Sequence, residues 1–205
     1  MRVGVIGGTF DPIHIGHLIL AEGAHDVLQL ERVFFVPAGQ PPHKRSLRIT
    51  ASQHRLQMVR LAIEGNGCFA ISRVDLDRAG PSYTVDTIRL LQEAWGPDTR
   101  IHFLIGGDSL SELPTWHQPE RLIEICQVVA VPRPGYEPDL EALDHEIPGA
   151  ADRVQVLRTP LVDLSATTIR DRVRNGRSIR YLVPQAVEQY IYRHRLYREQ
   201  AAEEG

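Results

Sequence analysis

From residue 2 to residue 194 the chain alternates short β-branched runs with amphipathic helical stretches, and this order leaves few folds open. Residues 2–7, 33–36, 68–72, 101–105, 127–131 and 154–157 read as strands. Between them, residues 16–29 carry Leu20, Ala24 and Val27 at helical spacing, and residues 51–64 carry Leu56, Val59 and Ile63. Ser82 reads as the N-cap of a helix bearing Val85, Ile88, Leu91 and Trp95, stopped by Gly96-Pro97. Residues 120–125 are helical, as are residues 171–175 and 185–194 at the end. Repeated strand–helix–strand order with short connections predicts the α/β class: a parallel sheet with helices on both faces. The expectation is one domain over residues 1–205, with residues 165–200 as a helical C-terminal end. In such sheets ligands sit beyond the carboxyl ends of the strands, so the loops after Gly7, Val36, Ser72, Ile105 and Val131 are the ones to read. Residues 132–152 hold six acids and read as an irregular, mobile surface excursion rather than a ligand site.

Composition narrows the function classes. Hydrophobic residues make up 42% and charged residues 24% of 205, which is globular rather than disordered. Apolar runs reach only about five residues, too short to cross a bilayer, and the first residues enter a strand without a signal peptide's apolar stretch. Cys68 and Cys126 are too few for a disulfide framework or a cysteine zinc site. The expectation is a cytoplasmic protein with no membrane partner, its oligomeric state left open. A net charge of −3 gives no general attraction to nucleic acid. Within residues 167–198, however, eight arginines stand against Asp171 and Glu188. That patch is either a solvated helical face or an anion site.

The first loop decides between trivial and functional readings. It runs Gly7-Gly8-Thr9-Phe10-Asp11-Pro12-Ile13-His14-Ile15-Gly16-His17, leaving a strand and opening a helix. Such a junction aims backbone N–H groups and a positive dipole end at an anion. Paired glycines allow a phosphate close to the backbone. His14 and His17, three apart across the first turn, can face one phosphate together and would stabilise charge on it without becoming nucleophiles, the plainer reading being a glycine-rich turn with two surface histidines. Gly16 removes a side chain from between them.

That loop resembles the signature of the nucleotidyltransferase superfamily that includes the bacterial nicotinate-mononucleotide adenylyltransferases. Pro41-Pro42-His43-Lys44, Ser82-Tyr83-Thr84-Val85-Asp86-Thr87 and Ile105-Gly106-Gly107-Asp108, with Leu113 and Trp116, resemble that group in particular. Arg133-Pro134-Gly135, Ser165-Ala166-Thr167-Thr168-Ile169-Arg170 and Tyr181-Leu182-Val183-Pro184 continue the resemblance across the chain in order. Ala166 departs from the pattern, which more often has Ser or Thr, but Ser165 and Thr167 keep hydroxyls beside it.

The resemblance implies a Rossmann-like fold and transfer of the adenylyl group of ATP, with Mg²⁺, to nicotinate mononucleotide. Nicotinamide mononucleotide and phosphopantetheine are the alternative acceptors. It implies that His14, His17 and Arg170 are catalytic. ATP would lie on Gly7, Gly8, Thr9, Phe10, His14, His17, Gly106, Asp108, Arg133, Ser165, Thr167 and Arg170. His43, Lys44, Tyr83, Thr84 and Trp116 would hold the mononucleotide, and no residue set is expected to hold a metal by itself. Beside this stand plainer readings: Asp108 as a helix cap, Lys44 as part of a stiff basic loop, Trp116 as core, and residues 165–170 as a capped basic helix. Hydroxyls, free N–H groups and a guanidinium at that last helix start would also suit the far end of a triphosphate.

Three other motifs compete. Gly65-Asn66-Gly67-Cys68-Phe69-Ala70 matches a dinucleotide fingerprint in letters but follows a helix and precedes a strand, the reverse of what the phosphate needs. Gly107-Asp108-Ser109-Leu110 resembles the nucleophile block of GDSL esterases, yet Ser109 is mid-chain and the Asp-x-x-His pair, Asp11 and His14, lies upstream. The class I aminoacyl-tRNA synthetases share the histidine element, but 205 residues leave no room for a tRNA-reading domain.

Overall fold

The computed structural model describes residues 1–42, 49–132, 137–160 and 162–198, and of Asp108 only the main chain. Six strands form one parallel sheet: β1 (Arg2–Gly8), β2 (Arg32–Pro37), β3 (Phe69–Ile71), β4 (Arg100–Gly106), β5 (Gln127–Val131) and β6 (Val154–Val156). Their order is β3-β2-β1-β4-β5-β6. The chain therefore winds outward from β1 to β3, then crosses back to place β4 on the other side of β1.

Alternation along each strand sends side chains to two cores. Ile6, Val33, Phe35, Leu104 and Val129 face one cluster, covered by α1 (Ile15–Val27), α2 (Ser52–Ile63), α8 (Ala166–Arg174) and α9 (Gln185–Arg193). Val3, Val5, Phe103, Ile105, Val128 and Ala130 face the other, covered chiefly by α3 (Thr84–Trp95), α4 (Gly107–Ser111) and α5 (Pro119–Ile125). Helices thus lie on both faces, because strands buried on both sides need a cover on each. Among the described residues no helix is long and apolar enough to cross a membrane.

Two expectations need correction. The acidic stretch before β6 is not an irregular excursion. Residues 140–146 form α6 (Leu140–Glu146) and residues 150–153 form α7 (Ala150–Arg153), and Leu143, Ile147 and Ala150 are buried in the second core. Its acids occupy the outer face, and Asp139 caps α6 by accepting from the Ala142 N–H at 2.9 Å. Its few apolar residues, spaced among acids, gave too weak a period to read. Ser82, in turn, does not cap α3. The N-cap is Tyr83, and the Ser82 hydroxyl instead accepts from the N–H groups of Gly39 and Gln40 at 3.0 and 3.2 Å. The stop at Gly96 is as expected, with φ +87° and its N–H on the Gln92 carbonyl at 2.9 Å.

Candidate active site

The sheet opens at its switch point. β1 stays paired with β2 as far as Gly8↔Pro37, but its ladder with β4 ends at Val5↔Phe103. β4 meanwhile stays with β5 to Gly106↔Val131. The carboxyl ends of β1 and β4 therefore part, and a cavity of about 530 Å³ lies there. It is lined by Gly7, Gly8, Thr9, His14, His17, Thr84, Gly106, Trp116, Ser165, Thr167 and Arg170. Loops distant in sequence are thus brought to one space.

His14 is the N-cap of α1 and is 6% exposed. Its ring stacks on that of His17, with centroids 3.7 Å apart and planes 28° from parallel. The His14 N–H donates to Nδ1 of His17 at 3.2 Å. An imidazole whose Nδ1 accepts keeps its proton on Nε2, so His17 is held as an Nε2–H donor. Gly16 leaves room for this ring: a Cβ would come within 3.1 Å of Nδ1 of His14, closer than most such contacts. The first turn offers fewer free amides than the motif suggests. The Ile15 N–H donates to Leu182 O and the His17 N–H to His14 O, both at 3.0 Å. The imidazoles of His14 and His17 stand beside these engaged amides on the cavity wall.

The Phe10 side chain is not in the cavity. It is 2% exposed, with its ring against Phe35 and edge-on to His17 at 5.1 Å. What Phe10 presents to a ligand is main chain, turned by a φ of +49°. A Cβ on Gly8 would lie 3.1 Å from that ring, so the second glycine also eases the packing of Phe10.

α8 begins as expected, with Ser165 accepting from the Thr168 N–H at 3.1 Å. Arg170 then reaches across to the first loop, donating through Nη1 to the Asp11 carbonyl at 2.8 Å and through Nη2 to Thr167 Oγ1 at 3.1 Å. The first loop and the start of α8, read separately in the sequence, thus form one wall.

Beneath that wall lie residues to which no role was assigned. Arg55, 2% exposed, donates to the carbonyls of Thr9 and Thr50 at 2.8 and 2.9 Å. Burial lowers its pKa, and the nearby Asp11 charge works against that. Asp11, 5% exposed, accepts from the Thr50 N–H at 3.2 Å and the Tyr197 phenol at 2.7 Å. A signal existed for Arg55, which shares a helical stripe with Met58, Val59 and Ala62 where a charge is out of place. Tyr197, in a polar tail, gave none.

On the opposite wall Asp75, also buried, accepts from Arg78 Nε at 2.9 Å and from the Thr87 hydroxyl at 2.7 Å. Arg78 continues to Pro81 O at 2.9 Å, fixing the entrance to α3. The Tyr83 N–H is bonded to Pro81 O, so the helix start offers a ligand its amides from Thr84 onward. The Tyr83 ring stacks on His117 at 4.3 Å beside the cavity, not in it. Trp116 serves both readings: it packs edge-to-face on Phe103 at 6.1 Å and also lines the cavity. His43, Lys44 and Arg133 lie outside the described residues, as does the Asp108 side chain. Among the described residues no group of three or more His, Cys, Asp or Glu is placed to hold a metal ion.

A switch-point crevice in a parallel sheet, with paired imidazoles on one wall and an arginine fork beside them, defines a nucleotide-handling α/β protein. A family model described as cytidylyltransferase-like matches residues 5–172, and the chain belongs to that family of nucleotidyltransferases. Its relatives are narrower in name. The chain is 53% identical to a probable nicotinate-nucleotide adenylyltransferase of Thermomicrobium roseum, over 96% of this chain and 92% of that one. It is 43% identical to one of Dehalococcoides mccartyi, covering 98% of both. In fold it is similar to the Plasmodium falciparum nicotinic acid mononucleotide adenylyltransferase complexed with NaAD, with a TM-score of 0.78 at 18% identity over 96% and 97% of the two chains. With the family fixed, the esterase reading of Ser109 falls.

Proposed function

We propose that this chain transfers the adenylyl group of ATP to nicotinate mononucleotide, giving deamido-NAD and pyrophosphate, as a cytoplasmic enzyme of NAD biosynthesis. The observation that carries the reading is the stacked His14–His17 pair facing the same crevice as the Arg170 fork. A phosphate oxygen of the mononucleotide attacks the α-phosphorus of ATP in line, and the bond from that phosphorus to the bridging oxygen breaks, releasing pyrophosphate. No side chain becomes covalently modified. Catalysis is positioning plus stabilisation of charge on the transferring phosphoryl group.

In this reading His14 and His17 donate to the α-phosphate, and Arg170, with Thr167 and Ser165 at the α8 start, holds the departing pyrophosphate. The main chain of residues 7–10 lines the adenylyl path, with Gly106 and Asp108 toward the ribose and Arg133 toward the phosphates. His43 and Lys44 receive the mononucleotide phosphate, the Tyr83–Thr84 helix start its carboxylate, and Trp116 its ring. Mg²⁺ arrives as part of the Mg-ATP substrate, where it spreads the triphosphate's charge. The whole chain acts as one nucleotidyltransferase domain with residues 165–200 as its helical end.

The relatives' names support the acceptor, and the N–H groups at the α3 start, where Thr84 lines the cavity, suit its carboxylate. The test is pyrophosphate release from Mg-ATP with nicotinate mononucleotide, nicotinamide mononucleotide or phosphopantetheine, beside an ester-hydrolysis control. Release with nicotinate mononucleotide above the others is expected. Release with phosphopantetheine alone would reassign the acceptor.

A further inference from the structure

The chain leaves α9 by two left-handed residues, Arg195 at φ +51° and Tyr197 at φ +63°. Residues with a Cβ take that conformation where something holds them there. What holds Tyr197 is the first loop. Its phenol donates to Asp11 Oδ1 at 2.7 Å, across 186 residues of sequence, and lies 3.9 Å from Met58 Sδ. Burial, and next the Asp11 charge and bond, push the phenol well above its ordinary range.

The bond's importance lies in what Asp11 does with its other atoms. Oδ2 takes the Thr50 N–H at 3.2 Å, and the main-chain carbonyl takes Arg170 Nη1 at 2.8 Å. Carboxylate and carbonyl belong to one residue. A clamp on the first therefore anchors the stretch of backbone that carries the second, and with it the carbonyl on which the Arg170 guanidinium rests. His14 lies three residues further along the same loop.

We propose that Tyr197 is a positioning residue for adenylyl transfer: its phenol fixes Asp11, whose carbonyl aims Arg170, and so the C-terminal segment completes the donor wall of the crevice. Tyr197 touches no substrate in this account. It acts through Arg170, on the step in which pyrophosphate departs. A hydrogen bond to a carboxylate is among the stronger ones, so its loss is read in turnover.

The test uses the full chain with Tyr197→Phe, which keeps the ring and removes only the hydroxyl. Tyr190→Phe is the control: it removes a phenol from α9 that contacts His54 Nδ1 at 2.9 Å, away from the loop. With Mg-ATP and nicotinate mononucleotide, Tyr197→Phe is expected to lower kcat roughly tenfold, the scale of one charge-assisted bond. Its KM for the mononucleotide is expected to stay within about twofold, because the acceptor wall is untouched. In an Arg170→Lys background the same substitution is expected to add little, since the two act as one unit. Should Tyr197→Phe not fold, Asp11→Asn, which keeps an oxygen for the phenol but makes the bond a neutral one, is expected to lower kcat by roughly threefold with the mononucleotide KM unchanged, and an unchanged kcat there would overturn the assignment.

An unchanged kcat, an equal loss in Tyr190→Phe, or a full further loss in the Arg170→Lys background would each overturn the assignment. The inference rests on the adenylyl-transfer reading, and the parent enzyme separates the two. A parent making no deamido-NAD defeats that reading, whereas an active parent with an indifferent Tyr197→Phe defeats the positioning role alone.

Discussion

The wall of the crevice built from β1, the first loop and α8 is held by bonds that span most of the chain. Arg170 reaches Asp11 across 159 residues and Tyr197 reaches it across 186. The facing wall, built from the approach to α3 and the turn at Trp116, is held nearer home. Arg78 binds Asp75 three residues away, Thr87 binds it across 12, and the longest tie described there, Ser82 to Gly39, spans 43. Long-range bonds form only when the whole fold has closed, so the donor wall inherits the rigidity of the sheet and both flanking helix layers. Local bonds form with their own segment. The acceptor wall is therefore free to differ in detail without disturbing the chemistry across from it, an arrangement that suits one reaction applied to a choice of acceptor.

That contrast makes distinct kinetic demands on each wall. The largest effect is expected at His17→Ala, which removes one donor at the developing charge. Turnover should fall about a hundredfold or more while ATP binding, followed by calorimetry, is retained. Turnover within about twofold of the parent would take His17 out of the reaction and leave the donor wall without its main function. Next comes Arg170→Lys, in which a two-pronged fork becomes a point charge that cannot hold the Asp11 carbonyl and a phosphate together. A loss of roughly ten- to a hundredfold in kcat is expected, with the mononucleotide KM preserved. A change in that KM equal to the change in kcat would show that the walls are coupled and erase the comparison.

On the acceptor wall, Trp116→Ala is expected to lower kcat/KM for nicotinate mononucleotide about tenfold, the scale of a lost aromatic contact, without moving the KM for ATP. The preference of the parent for the acid over the amide, expected at about tenfold or more, should survive the substitution. In the proposed reading it belongs to the α3 start, whose N–H groups suit a carboxylate. Equal kcat/KM for both mononucleotides in the parent would sink that discrimination while leaving adenylyl transfer standing.

The smallest effect lies away from both walls. His102, 6% exposed within β4, has its pKa lowered by burial and then by the neighbouring Arg2 charge, against weaker support from main-chain contacts and with Arg100 adding to the lowering. Above its unfolded value near 6.5 the imidazole is neutral folded or unfolded, and contributes nothing to pH dependence. As the pH falls below that value the unfolded chain takes up a proton that the folded chain resists, so stability declines. Thermal melts from pH 7.5 to pH 5.5 should show this decline, reduced in His102→Gln. A slope unaltered by the substitution would place the pH sensitivity elsewhere.

Much of this was legible beforehand. Short β-branched runs and helical stripes marked the six strands and the principal helices because each element's burial is written in consecutive residues. The Gly7–His17 loop was legible for the same reason: its glycines, histidines and helix start are contiguous. Failures occurred where burial is shared among short pieces. α6 and α7 contribute only Leu143, Ile147 and Ala150 to the core between acids, too sparse a pattern to show a period. Ser82 fits a capping pattern, yet its hydroxyl bonds to Gly39 and Gln40 in another loop, a competition that no local rule foresees.

By itself the sequence determined the α/β class, the strand-to-helix loop bearing His14 and His17, and a capped helix start at Ser165 or Thr167, since each depends on neighbours within a few residues. Tertiary structure decided the rest. It turned Phe10 into the core and parted β1 from β4 to open the crevice. It joined Arg170 to the first loop, and it placed Asp11, Arg55 and Tyr197 beneath the site as its frame. The physical reason is that a buried charge or phenol must find its partner wherever the fold supplies one, and for Asp11 that partner lies at the other end of the chain.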